Sequence, residues 1–275
     1  MKYTPKRPQA NDNVTPGSPV REFFVLVGGL LGIIVGIYII LGLLVDFIVP
    51  RMSLETERRV AVFFSQLTNA SEKTSGRVVY LQSLADRLES HCAPLPYDIR
   101  VYVYDDELVN AVALPGGTIV VFSGLIEKMK SENEIAFVLS HELGHFYHRD
   151  HLRVMGRSIV FMTLSALLFG ADSSVGDMLA QSVGITELGF SRTQETRADE
   201  FALSAIDCFY GHVGGATDFF EKMKQAEDPT RFGQYFTSHP DTAERIQHLL
   251  DIGREKGLKS GPKKAIPVDL KKSIQ

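Results

Sequence analysis

The segment SHELGHFYHRDH, Ser140–His151, sets four histidines and two acids in a run of twelve residues. His141 and His145 are four apart, so on a helix their imidazoles share one face and can hold the same cation. Glu142 falls between them in angle, close enough to reach a water held there. This is the HExxH arrangement, in which zinc is bound by the two imidazoles and the glutamate is the general base. Ile135, Ala136, Val138 and Leu139 lie just before it and predict a packed helix over 132–150, which puts the site inside the fold.

A catalytic zinc needs a third protein ligand and one position open to water. Two places in the chain compete. His151 lies six residues after His145, the separation of the HExxHxxGxxH pattern, but His148 stands where that pattern has a chain-turning glycine. On a continuing helix His151 would face about 240° away from His145, so His148 and His151 are expected at the surface or in support. The stretch FSRTQETRADEFAL, 190–203, is the stronger candidate. Ser191 followed by Gln194 is a capping-box pattern that starts a helix. Glu195 and Asp199 then share a face beside the apolar residues Ala198, Phe201, Ala202 and Ile206. A carboxylate so placed is stable only if it finds a cation. Zinc on the histidine helix would be that cation for Glu195, and Asp199 would accept the free ring N–H of a ligating histidine.

HELGH, then SRxxExxAD at 191–199, then HPxxxxRI at 239–246 resembles the membrane-anchored gluzincin peptidases. That group includes the HtpX heat-shock protease, the type I CAAX prenyl protease and the mitochondrial Oma-type protease. The stretch NAVALPGG, 110–117, is similar to the NAxALPGG segment of the same family, and the likeness covers about half of the chain, Asn110–Ile246. The resemblance implies one zinc per chain on His141, His145 and Glu195, with Glu142 as base and Asp199 supporting a ligand. It also implies that His239 stabilises the oxyanion and that Arg245 pairs with the site carboxylates. The sequence departs from the multi-span members in its membrane segments, which disfavours a prenylated-peptide chamber and favours a single-anchor, quality-control branch.

The elements that must position these residues are mainly helical. Helical spacing runs from Ser53 to about His91, with prolines at 94 and 96 ending it, then resumes to about residue 151, over 191–209, and from about 241. The β-branched stretches DIRVYVY, 98–104, and LVNAVALPGGTIVVFS, 108–123, predict strands with a turn at Pro115–Gly117. The expected fold class is therefore α+β, a mainly helical zincin-type domain with a small sheet. Peptidases must present an extended substrate to the metal, and a strand added to a sheet edge does so. Asn110, Ala111, Val112 and Ala113 have the composition of such an edge, ended by Pro115, which cannot pair onward.

Residues 23–45 carry no charge over 23 positions, and as a helix they reach roughly 34 Å, enough for a bilayer core. They are expected to be one uncleaved transmembrane anchor between a short polar arm, 1–22, and a peptidase domain, 46–275, whose lysine-rich tail from about 254 is loosely packed. Four basic residues precede the span and three follow it, a slight bias toward an internal N-terminus and an exported domain, in a bacterium the periplasm. Gly28, Gly32 and Gly36 line one face where a second copy could approach. The apolar run 158–169 is too short to span and is expected to be a buried or membrane-surface helix over the site.

A net charge of −4 gives no support for a nucleic-acid partner, and none is expected. Cys92 and Cys208 form no CxxC pair, so a thiolate zinc knuckle is excluded, and two buried free thiols are preferred over one disulfide. The expected function is a membrane-anchored zinc endopeptidase acting on misfolded or membrane-proximal polypeptides, probing envelope protein quality. A zinc-bound but inactive chaperone-like scaffold of the same fold is the alternative, and the presence of Glu142 favours the enzyme.

Overall fold

The structure, a computed structural model, describes residues 18–62, 75–170, 189–224, 238–239, 242–267 and 270. In chain order the helices are α1 (Pro19–Ile48), α2 (Leu54–Ala61), α3 (Gly76–Cys92), α4 (Ser123–Lys128), α5 (Glu132–His148) and α6 (Asp150–Phe169). They continue as α7 (Arg192–Tyr210), α8 (Asp218–Lys224) and α9 (Thr242–Glu255), with strands β1 (Arg100–Tyr104), β2 (Ala111–Leu114) and β3 (Thr118–Phe122) between α3 and α4. The expected small sheet in a mainly helical domain is what forms.

The sheet has the order β1-β3-β2, with β1 parallel and β2 antiparallel to β3. β2 is therefore an edge. Gly116 and Gly117 turn the chain between β2 and β3 at φ 83° and 84°, a region closed to most side chains. The main core lies between the sheet, α3, α5 and α7, and includes Leu81, Leu88, Val103, Ile119, Phe137, Phe146 and Ile206. Each such side chain contributes on the order of 1.5–3 kcal/mol by burial, so the helix that carries the histidines is fixed by packing on several sides. A Cβ on Gly144 would lie 2.9 Å from the Ala198 Cα, so the glycine of HELGH lets α5 and α7 touch backbone to backbone.

Three expectations need correction. Cys92 and Cys208 are joined in a disulfide with Cα atoms 5.7 Å apart, tying the end of α3 to α7. Their separation of 116 residues gave no pairing signal; only packing brings the two helices together. The tail is not loose over its described part. Ala265 pairs with Ser131, Lys264 meets Glu132 at 2.9 Å, and the buried Arg77 donates to the Leu270 carbonyl. Finally, of the two places expected for the run 158–169, buried or at a membrane surface, burial does not hold: the run is the end of a longer helix, α6, with Ile159, Leu167, Leu168 and Phe169 exposed.

Helix α6 lies alongside α1, and Gly156 abuts the Val45 side chain. Arg157 donates to Asp46 at 2.7 Å, closing the base of the pair with an ion pair. No residue of α1 is buried. By length and composition both α1 and α6 are long and apolar enough to cross a membrane, where the sequence reading counted one such helix.

Candidate active site

Helix α5 begins at the cap Ser131, whose Oγ accepts the Glu134 amide, and it is buried from Glu132 through Phe146. The rings of His141 and His145 project from it to one point, with their Nε2 atoms 3.1 Å apart. Each ring is held from behind by a carboxylate. Asp199 on α7 lies 2.9 Å from His141 Nδ1, and Asp150 lies 3.4 Å from His145 Nδ1. An ionised carboxylate only accepts, so both Nδ1 atoms carry the proton and both Nε2 lone pairs face the shared point.

The capping box expected on α7 is present, Ser191 and Gln194 bonding reciprocally, and it fixes where Glu195 emerges. Glu195 is buried, with its Oε2 3.5 Å from His141 Nε2 and its Oε1 3.4 Å from His145 Nε2. His239 completes the cluster, its Nδ1 donating to Glu195 Oε1 at 3.0 Å. One ligand atom from each of His141, His145, Glu195 and His239 lies within 4.8 Å of all the others. Converging lone pairs and a buried carboxylate repel one another unless a cation lies among them. The donor set of imidazoles and a carboxylate suits zinc.

The electrostatics agree. Burial holds His141 down to a pKa of about 4, so its ring is neutral, as a ligand must be. Burial also acts on His145, but Asp150 and Glu195 outweigh it and raise the pKa to about 9; that proton is the competitor a metal displaces. Burial opposes ionisation of Glu195, yet His239 and Arg245 bring its pKa well below the usual carboxylate value. Arg245 holds both acids: its Nε and Nη2 each donate to Asp199 at 2.7 Å, and its Nη1 stands 2.5 Å from Glu195 Oε2. This is the pairing that the resemblance implied.

Glu142 is buried, and its Oε2 takes no hydrogen bond from the described residues. Burial raises its pKa, opposed by the His239 and His145 rings and by the Ala113 amide. A raised pKa makes this carboxylate a better proton acceptor than an exposed glutamate. His239 Nε2 faces its Oε1 at 3.9 Å.

His151 lies apart from the cluster of His141, His145, Glu195 and His239. Helix α5 stops at His148 because Arg149 takes the left-handed conformation, φ 56°, and α6 starts afresh at Asp150. His151 thereby turns into the core instead of the metal cluster and bonds Glu57 Oε1 at 2.9 Å. It is buried, so of the two places expected for it, at the surface or in support, the surface does not hold.

The peptide groups of β2 alternate. Asn110 accepts the Phe122 amide, so Val112 and Leu114 turn their backbone groups to β3 and Ala111 and Ala113 turn theirs away from it, their amides meeting Asn110 and Glu142. That strand borders a groove lined by Ala111–Pro115 of β2 and the residue after it, by His151, Val154 and Met155 of α6, and by His239. Asn110 does not line it. Its buried side chain donates to Ser238 Oγ at 3.2 Å and accepts the Ala111 amide, so it holds the residue before His239. Asp150 and Phe190 escaped the sequence reading. Phe190 stacks on the His145 ring at 3.7 Å, and Asp150 also receives Gln194 and Arg197 at 3.1 and 3.2 Å. Only the HRDH spacing hinted at Asp150, and nothing marked Phe190.

The profile of Peptidase family M48 matches residues 77–252, most of the chain. The chain belongs to peptidase family M48. As an M48 peptidase it is a zinc metalloendopeptidase. It is 31% identical to Metalloprotease YcaL of Escherichia coli (strain K12), over 68% of this chain and 73% of that protein. It is 29% identical to Metalloprotease LoiP of the same organism, over 65% and 71%. Mitochondrial metalloendopeptidase OMA1 of Arabidopsis thaliana is 30% identical over 61% of this M48 chain, a stretch that spans 34% of the plant protein.

Proposed function

We propose that this chain is an endopeptidase of the bacterial inner membrane, anchored through α1, whose catalytic domain faces the periplasm and degrades misfolded or membrane-proximal polypeptides. The convergence of the two Nε2 lone pairs and Glu195 carries the reading. His141, His145 and Glu195 would hold zinc, which when bound supplies a Lewis acid to polarise a peptide carbonyl and acidify a water. Glu142 takes the proton of the attacking water and returns it to the nitrogen of the leaving half. His239 donates to the oxygen on which charge develops, and Asp199, Asp150 and Arg245 hold the ligands in tautomer and place. Ala111 and Ala113 accept the amides of an extended substrate at their carbonyl groups, since the Ala111 amide is already bonded to Asn110 and the Ala113 amide to Glu142. Recognition through backbone groups selects unfolded chain rather than one sequence, which suits protein quality control.

The reaction is tested by digesting an unfolded protein with the purified, detergent-held chain. Cleavage that 1,10-phenanthroline stops and added zinc restores is the expected result; cleavage indifferent to the chelator would refute the assignment. The orientation is supported by the Cys92–Cys208 disulfide, which persists in oxidising compartments. A C-terminal reporter that matures only in the periplasm should be active, and activity of a cytoplasmic reporter alone would reverse the topology. The same apolar α1 would meet the lipid, and Gly28, Gly32 and Gly36 leave one of its faces open to a second copy.

A further inference from the structure

Glu57 sits on α2, the first helix after the anchor, and its carboxylate is fully buried. Burying an ionised carboxylate is costly unless its oxygens are satisfied, and here both are. Oε1 accepts the Gly116 amide at 3.0 Å and meets His151 Nε2 at 2.9 Å, while Oε2 accepts the Tyr97 hydroxyl at 3.0 Å. Burial opposes ionisation, but His151, Gly116 and Tyr97 together bring the pKa below the usual value.

The partners of Glu57 belong to the two elements, β2 with its turn and α6, that line the groove. Gly116 is in the turn that ends β2, and a turn fixes where its strand edge stands. His151 lies in the first turn of α6, whose Val154 and Met155 also line the groove. Helix α2 also rests directly on the turn, since a Cβ at Gly116 would lie 2.9 Å from the Ala61 Cβ. The anchor's end is tied in as well: Arg149, at the break between α5 and α6, donates to the Val49 and Met52 carbonyls at 3.0 and 2.6 Å.

We infer that Glu57 is a positioning residue for substrate, a buried strut that sets the distance between the β2 edge and α6. Helix α2 is thereby part of the binding groove and not a spacer between membrane and enzyme. The inference rests on the reading of β2 as the substrate strand. Glu57 touches neither the candidate ligands nor Glu142 among its bonded partners, so its loss acts on binding and leaves the chemical step alone.

The test uses the full-length chain in detergent with one unfolded-peptide substrate, and with copies of that peptide N-methylated at successive positions. Glu57→Ala should raise KM about tenfold, the scale of one buried amide left without its acceptor, with kcat within about twofold and zinc content unchanged. Glu57→Gln keeps an acceptor for the Gly116 amide and should restore most of the affinity. Parallel losses of kcat and zinc in Glu57→Ala, with no recovery in Glu57→Gln, would mean a merely structural residue. If Glu57→Ala does not fold, Tyr97→Phe removes one donor and should raise KM by a few-fold with kcat kept; an unchanged KM overturns the proposal. N-methylation separates the two readings. If no methylated position weakens binding to the parent, the strand reading fails. If one does while Glu57→Ala binds normally, the strut alone is wrong.

Discussion

Glu142→Gln is expected to leave the protein folded and zinc-loaded while lowering peptide cleavage by about 10²–10⁴-fold, the usual contribution of a positioned general base. The side chains are isosteric, and Glu142 is not among the atoms that converge on the metal position. What the amide lacks is the capacity to hold a proton. Burial raises the pKa of the native carboxyl, so it can accept a proton from water and release it to a departing amine. Metal analysis beside a single-turnover assay decides the matter. Turnover of the Gln variant at the parent rate would remove Glu142 from the mechanism.

Metal content should rank the histidines and Glu195. Glu195→Ala is expected to lose zinc on dialysis by more than the about 10–100-fold typical of partners that only support a ligand. The substitution removes an anionic ligand and also one of the two carboxylates that balance the Arg245 guanidinium, 2.5 Å from Glu195 Oε2, leaving Asp199 alone to balance it beside a dication. His151→Ala should keep its zinc, because His151 bonds Glu57 and stands outside the cluster. His239→Ala should also keep it while lowering kcat by about 10²-fold with KM little changed, as for a donor aimed at a developing oxyanion. Zinc lost from His151→Ala but kept in Glu195→Ala would restore the other ligand choice. Zinc lost from His239→Ala would make that residue a ligand and end its oxyanion role.

Much of the site could be read along the chain because its parts repeat at helical spacing. His141, Glu142 and His145 lie within one helical turn and a half, and Glu195 and Asp199 within another, so each group's facing follows from the geometry of a single helix. The start of α7 was equally legible, since a capping box is a contact between residues three apart. Periodicity failed where an interaction is long-range. The disulfide joins residues 116 apart, and Glu57 reaches Gly116 and His151 across 59 and 94 positions.

The break after His148 shows the limit most clearly. The sequence HFYHRDH has no glycine or proline to end a helix, and local propensity continues it through His151. In the fold, Arg149 is held in the left-handed region while its guanidinium donates to two carbonyls of the juxtamembrane turn. Tertiary hydrogen bonds offset the local strain, and the break brings Asp150 behind His145 and His151 onto Glu57.

Sequence by itself determined the chemistry of this protein: which residue types converge, that helices carry them, and that an apolar helix precedes the domain. Such properties follow from short-range spacing, which a chain keeps whatever it packs against. Tertiary structure alone decided which histidine stays out of the metal cluster, which acid supports His145, which peptide groups of β2 face the groove, and that the tail and the two cysteines are tied down. Those outcomes depend on which distant surfaces meet, and the free energy that selects them is shared across the whole core.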